Sequence, residues 1–137
     1  MTRFNITLDE GVSFVIKCLE MMWGGEIFVP KIPSYKILDV ADAVAPKIKK
    51  KIIGIRPGEK LHEEMITVDD ARNTVEFDDY YAILPSSNCL SWTIDDFAKE
   101  SNKKTGKFCS EGFSYNSYSN KDFLSVSEIA QLIKTKI

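Results

Sequence analysis

Apolar and polar positions alternate along this chain with two periods, and the changes between them mark its elements. Val12, Val15, Ile16, Leu19 and Met22 recur at helical spacing, and Thr7 and Glu10 stand three apart ahead of them as a capping box does. The pattern predicts a helix from Thr7 to about Met22 with those five residues as its buried stripe, Cys18 beside it in the core, and Gly24 and Gly25 as its stop. Residues Glu26 to Val29 read as a short strand closed by Pro30, and Ser34 as the cap of a second helix carrying Ile37, Val40, Ala41 and Val44 and ending at Pro46. The β-branched Ile52, Ile53 and Ile55 predict a strand. Pro57, with its fixed φ and missing N–H, then predicts the first turn of a central helix.

Farther on, Thr74 to Phe77 and Tyr80 to Leu84 are rich in strand formers and are separated by Asp78 and Asp79, which predicts a hairpin closed by Pro85. Between Ser86 and Gly112 periodicity fades, and the expectation is a long loop with one short helical piece near Asp95 to Lys99. Ser125 and Glu128 repeat the capping-box spacing ahead of Val126, Ile129, Ala130, Leu132 and Ile133, a terminal helix.

Composition narrows the function. The chain has 137 residues, 44% hydrophobic and 28% charged, which is enough to bury a core. A formal net charge of -2 argues against a general nucleic-acid or membrane-surface binder, so any anion site is local. Cys18, Cys89 and Cys109 are odd in number and form no CxxC pair, which fits a reduced, cytoplasmic setting better than a zinc site or a disulfide framework. No apolar run approaches the roughly 20 residues of a membrane helix.

The chemistry concentrates in Ile55 to Met65, which reads Ile-Arg-Pro-Gly-Glu-Lys-Leu-His-Glu-Glu-Met. On the predicted helix Arg56 and Glu59 share one side of the first turn. A guanidinium beside free backbone N–H groups suits a phosphate, and a nearby carboxylate can accept hydrogen bonds from paired sugar hydroxyls. The other reading is an exposed ion pair, and both stand at this point. Arg3 likewise reads as a solvated charge or a second phosphate clamp. His62, the one histidine, lies among Glu59, Glu63 and Glu64 without a second histidine or a suitably spaced cysteine, which favours a structural or hydrogen-bonding role over zinc. Asp69–Asp70 and Asp78–Asp79 lack calcium-loop spacing and read as turn and cap residues. The Lys47 to Lys51 run reads as a solvated edge rather than a phosphate-gathering patch. No strand–GxGxxG–helix segment is present, and no tyrosine is followed four residues later by lysine.

Four stretches carry a resemblance: Met1-Thr-Arg-Phe-Asn-Ile-Thr-Leu-Asp-Glu-Gly-Val12, Gly25-Glu-Ile-Phe-Val-Pro-Lys-Ile-Pro-Ser34, Ile53 to Met65, and Asp79-Tyr-Tyr-Ala-Ile-Leu-Pro85. They resemble the C-terminal part of CapD-type polysaccharide biosynthesis proteins, in the UDP-N-acetylglucosamine 4,6-dehydratase and 4-epimerase branch of the extended short-chain dehydrogenase/reductase superfamily. Phe113-Ser-Tyr-Asn-Ser-Tyr-Ser-Asn120 and the helix after it look like the tail of the same family. The resemblance implies an α/β fold, a small mixed α+β substrate-binding lobe with the Rossmann lobe absent. Residues 1–85 would form the UDP-sugar-binding lobe and 86–137 a C-terminal extension. It further implies that Arg3 and Arg56 contact the diphosphate of a UDP-sugar and Glu59 the ribose. No catalytic or cofactor-binding residue is expected in this chain, the family's NAD(P) belonging to the other lobe. A Rossmann lobe on another chain and a homo-oligomer are the expected protein partners, with no nucleic acid and no membrane. The sequence begins where the family's Rossmann lobe has largely ended, which implies binding without catalysis by this chain alone.

Overall fold

Thr7 and Glu10 fix the start of the first helix as their spacing requires. The Thr7 hydroxyl accepts from the Glu10 N–H at 3.3 Å, and the Glu10 carboxylate takes the Thr7 N–H at 2.8 Å. In the computed structural model, which describes residues 1–86, 91–101 and 105–136, this helix is α1 (Leu8–Met21). Ahead of it lies β1 (Thr2–Phe4). After it come β2 (Ile27–Pro30), β3 (Ser34–Lys36), α2 (Ile37–Val44), β4 (Glu64–Ile66), a 3-10 turn (Asp70–Asn73), β5 (Thr74–Glu76) and β6 (Tyr80–Ile83). The chain continues through α3 (Ile94–Glu100), β7 (Lys107–Phe108), β8 (Tyr115–Asn116) and α4 (Val126–Lys136). The small mixed α/β architecture is the one expected. Cys89 lies outside the described residues.

These elements gather into two compact units, each built from separated stretches of chain: Met1–Asn5, Ile32–Glu64 and Asn116–Ile137 in one, Ile6–Lys31 and Met65–Tyr115 in the other. The second unit holds an antiparallel sheet in the order β2-β6-β5-β7. Its centre is the expected hairpin, with Thr74 opposite Ile83 and Glu76 opposite Tyr81. Val75, Phe77, Tyr80, Ala82, Leu84, Phe97 and Met21 form its core. Trp23 meets Trp92 and Phe97 edge-on at centroid distances of 5.7 and 5.3 Å. The short helix expected near Asp95 is α3, capped by the Thr93 hydroxyl.

In this unit α1 presents Phe14, Cys18 and Met21 to the core. The stripe expected to be buried is the outer face instead: Val12, Val15, Ile16, Leu19 and Met22 are 51–66% exposed. The helix has two apolar faces, and the one carrying Phe14 and Met21 is the face that meets the aromatic cluster. Periodicity alone does not choose between two such faces.

The first unit pairs β1 with β3 antiparallel, Arg3 opposite Tyr35, and packs α2 on α4. Ser34 is a strand residue here and not a helix cap. Its N–H donates to the Asp122 carbonyl, its carbonyl accepts from Leu124, and its hydroxyl meets the Asn120 amide at 2.9 Å. Pairing with β1 holds the chain extended to Lys36, so α2 starts at Ile37 with no side-chain cap. The isoleucine strand does not form either: residues 51–56 lie outside any strand, and Ile52 and Ile53 are 82% and 83% exposed. β-branched residues favour a strand only where a partner edge completes it. Lys47 to Lys51 are exposed. The terminal helix is α4, with its Ser125–Glu128 box closed in both directions.

Candidate functional site

Arg56 to Glu59 form a tight turn, and the central helix expected from Pro57 is absent. The Glu59 N–H donates to the Arg56 carbonyl at 3.1 Å, and Gly58 has φ +80°. Proline has the same φ at the start of a helix as at the second position of a β-turn, so Gly58 decides: a positive φ at the third position makes a type II turn and stops helix growth. The turn still brings the two charged residues together. The Glu59 carboxylate accepts the Arg56 N–H at 3.1 Å and lies 3.4 Å from its guanidinium. Those contacts, the backbone bond first, hold the Glu59 carboxyl below its ordinary value, and the positive charge of Arg3 adds to them. Arg56 remains 82% exposed in its side chain, with most of its donors facing solvent.

Arg3 reaches the same segment from β1. Its guanidinium donates to the Thr2 carbonyl at 2.7 Å and to the Lys60 carbonyl at 2.9 Å, and its Nε lies 3.5 Å from Glu63. The other Glu63 oxygen accepts the Phe4 N–H at 2.8 Å. The three residues singled out in the sequence therefore fall within one unit, on β1 and on the turn it cradles. Arg3 differs from Arg56 in being largely enclosed, 19% exposed, with much of its hydrogen-bonding capacity committed to carbonyls.

Sequence reasoning assigned no role to Thr2 and Ser117, which knit this segment together. Thr2 and Ser117 are buried, and their hydroxyls are 2.7 Å apart. The Thr2 hydroxyl also lies 2.8 Å from His62 Nδ1, giving His62 the hydrogen-bonding place expected of it, though at a bend and not on a helix. Ser117 exchanges two bonds with Glu63: its N–H donates to the Glu63 carbonyl at 2.8 Å, and its hydroxyl accepts the Glu63 N–H at 2.9 Å. The signal for these residues was their position within the quoted Met1–Val12, Ile53–Met65 and Phe113–Asn120 stretches. Beside them a largely apolar cavity of about 1020 Å³ is lined by Met1, Ile37, Ile55, His62 and Tyr118 among others. The His62 and Tyr118 ring centroids are 4.6 Å apart.

Other reactive groups are quiet. Burial pushes the Cys109 thiol up to about 11 and raises Cys18, so both stay protonated at neutral pH. Among the described residues no group of three or more His, Cys, Asp or Glu side chains is placed to hold a metal, and no helix is long and apolar enough to cross a membrane. Asp70 caps the Thr67 N–H and hydroxyl.

The family description "polysaccharide biosynthesis protein" matches residues 1–85, more than half of the chain. The chain belongs to this family. As a polysaccharide biosynthesis protein it is also a partial homologue of the extended short-chain dehydrogenase/reductases. It is 50% identical over 133 residues to the UDP-N-acetylglucosamine 4,6-dehydratase (inverting) of Campylobacter jejuni subsp. jejuni serotype O:2, spanning 97% of this chain and 40% of that protein. It is 36% identical over 87 residues to the UDP-glucose 4-epimerase of Rickettsia canadensis, spanning 61% of this chain and 26% of that enzyme. An X-ray structure of Pen from Bacillus thuringiensis matches with a TM-score of 0.74 at 27% identity, over 99% of this chain and 39% of that one. This polysaccharide biosynthesis protein thus spans about 40% of the length of the dehydratase it matches.

Proposed function

We propose that this chain is the UDP-sugar-binding part of an NAD(P)-dependent UDP-N-acetylglucosamine 4,6-dehydratase for surface polysaccharide synthesis, binding substrate without catalysing its conversion alone. The observation that carries this reading is the Arg56–Glu59 turn, with its exposed guanidinium and its carboxylate held ionised, in a chain 50% identical to a dehydratase of that name. Arg56 offers a planar fork of donors to a diphosphate, and Glu59 offers two acceptor oxygens to ribose hydroxyls. Arg3 supplies a second positive charge for the diphosphate, at a place fixed by its bonds to Thr2 and Lys60. The oxidised nicotinamide, when bound, would accept the hydride from the sugar. The chain has neither GxGxxG nor a Tyr-x-x-x-Lys pair, so no step of that chemistry is assigned to its residues. A Rossmann lobe is the partner that would complete the enzyme, in the cytoplasm. The match to a UDP-glucose 4-epimerase favours a second reading in which the same turn grips a UDP-sugar for epimerisation.

Titration calorimetry with UDP tests the site shared by both readings. The folded protein is expected to bind, and Arg56→Ala to weaken binding about tenfold to a hundredfold, the worth of one or two charge-assisted hydrogen bonds. Absence of heat with the folded protein overturns the proposal. Residual binding unchanged in Arg56→Ala removes the turn from it.

A further inference from the structure

Ser117, Thr2 and His62 form a chain of hydrogen bonds whose direction can be worked out by counting protons. The Glu63 N–H donates to the Ser117 hydroxyl oxygen, which fixes the first link. Two gaps remain, Ser117 to Thr2 at 2.7 Å and Thr2 to His62 Nδ1 at 2.8 Å, with one hydroxyl proton on each residue to fill them. If Ser117 donates to Thr2 and Thr2 donates to Nδ1, both gaps are closed and every proton has an acceptor. If Nδ1 carries a proton, it must donate to Thr2, and either the Ser117 or the Thr2 hydroxyl proton then has no acceptor among the described residues. Ser117 is fully buried and Thr2 is 3% exposed, so neither proton reaches water readily. An unmatched buried donor is the arrangement that proteins avoid.

We infer that Ser117 and Thr2 form a one-way relay that holds His62 as its Nε2–H tautomer, and that the three are positioning residues for the Arg56–Glu59 turn. The relay acts on the turn through the segment that follows it. His62 and Glu63 are both anchored to Ser117, His62 through Thr2 and Glu63 by two direct bonds. Glu63 in turn holds the Phe4 N–H and faces Arg3, whose guanidinium clasps the Lys60 carbonyl. The exit of the turn is thereby tied to β1 at several points within four residues. The Nε2–H is left without a partner among the described residues, on a ring that lines the apolar cavity of the same unit, where it is available to a hydrogen-bond acceptor.

With a single histidine in the chain, 15N-histidine labelling reports on His62 without assignment. Long-range 1H–15N correlation at mildly alkaline pH is expected to show an unprotonated Nδ1 and a protonated Nε2. Thr2→Val, which keeps the shape and removes the hydroxyl, is expected to give a mixture of tautomers. A protonated Nδ1 in the native protein overturns the relay, as does a tautomer unchanged in Thr2→Val. The positioning role rests on the nucleotide-binding reading and is tested by UDP titration. His62→Asn keeps an acceptor near the Nδ1 position and is expected to retain affinity, whereas His62→Gln moves it away and is expected to lose about two- to tenfold, the worth of one neutral hydrogen bond. Equal affinities for the two variants overturn the positioning role. If the native protein does not bind UDP, the nucleotide-binding reading fails, while the tautomer still decides the relay.

Discussion

Gly58 carries more of the site than its size suggests. At φ +80° it occupies a region where a side chain is strained, and nothing lies within 4 Å of where a Cβ would stand, so Gly58→Ala adds backbone strain without a clash. That strain is about 1–2 kcal/mol. It is expected to appear partly as a lower Tm and partly as weaker UDP binding, together amounting to about five- to thirtyfold in equilibrium terms. Calorimetry and thermal melting of the same variant check this. Unchanged values of both would mean that the turn relaxes freely and does not position Arg56 and Glu59. The residues around it divide by how local their bonds are. Arg56 and Glu59 were legible because they pair across three positions. The bond from Thr2 to His62 spans 60 positions and that from Thr2 to Ser117 spans 115, distances over which side-chain spacing says nothing about contact.

Among the elements, the starts of α1 and α4 and the β5–β6 hairpin came out as read, whereas the central helix expected from Pro57 was stopped by its neighbour Gly58. The capping boxes of α1 and α4 and the hairpin of β5 and β6 depend on side chains and turns within a few positions of each other. Two stretches that depend on a distant partner did not: residues 51–56 found no strand to pair with, and β3 was drawn out by β1 where a helix cap was expected. The α4 cap makes a pH-dependent contribution that can be measured. Bonds from the Ser125 hydroxyl and then its N–H hold the Glu128 carboxyl below its reference value of 4.5. A depressed folded value means that the carboxylate stabilises the fold fully above about 4.5 and progressively less as pH falls through the folded value. Glu128→Gln is therefore expected to lower Tm at pH 7, with the difference from the native protein shrinking below pH 4.5. A difference that is constant with pH would assign the effect to something other than the carboxylate's charge.

At the scale of the molecule, the outer face of α1 is a run of exposed apolar side chains. Leu8, Val12, Val15, Leu19 and Met22 follow one another at intervals of four and three residues and are 51–81% exposed, with Ile16 beside them. This spacing is that of a helix seam, and an exposed seam of this length favours association. The isolated chain is expected to self-associate in light scattering behind a sizing column, and Val15→Glu with Leu19→Glu to shift it toward monomer while leaving the inward Phe14 and Met21 face untouched. A monomeric native chain at all concentrations would contradict this. The apolar repeat of α1 was legible in the sequence; which way it faced was settled by aromatic residues elsewhere in the fold.

The interleaving of the two units sets an order of events during synthesis. Glu63 leaves the ribosome 54 positions ahead of Ser117, the residue that fixes it. At about 5–20 residues per second the Arg56–Glu59 turn spends roughly 3–11 s without its anchor. Met65 to Tyr115 are made within that interval and complete the unit that contains α1. The sheet can thus assemble as it emerges, whereas the proposed nucleotide grip waits for a later stretch of chain to close it.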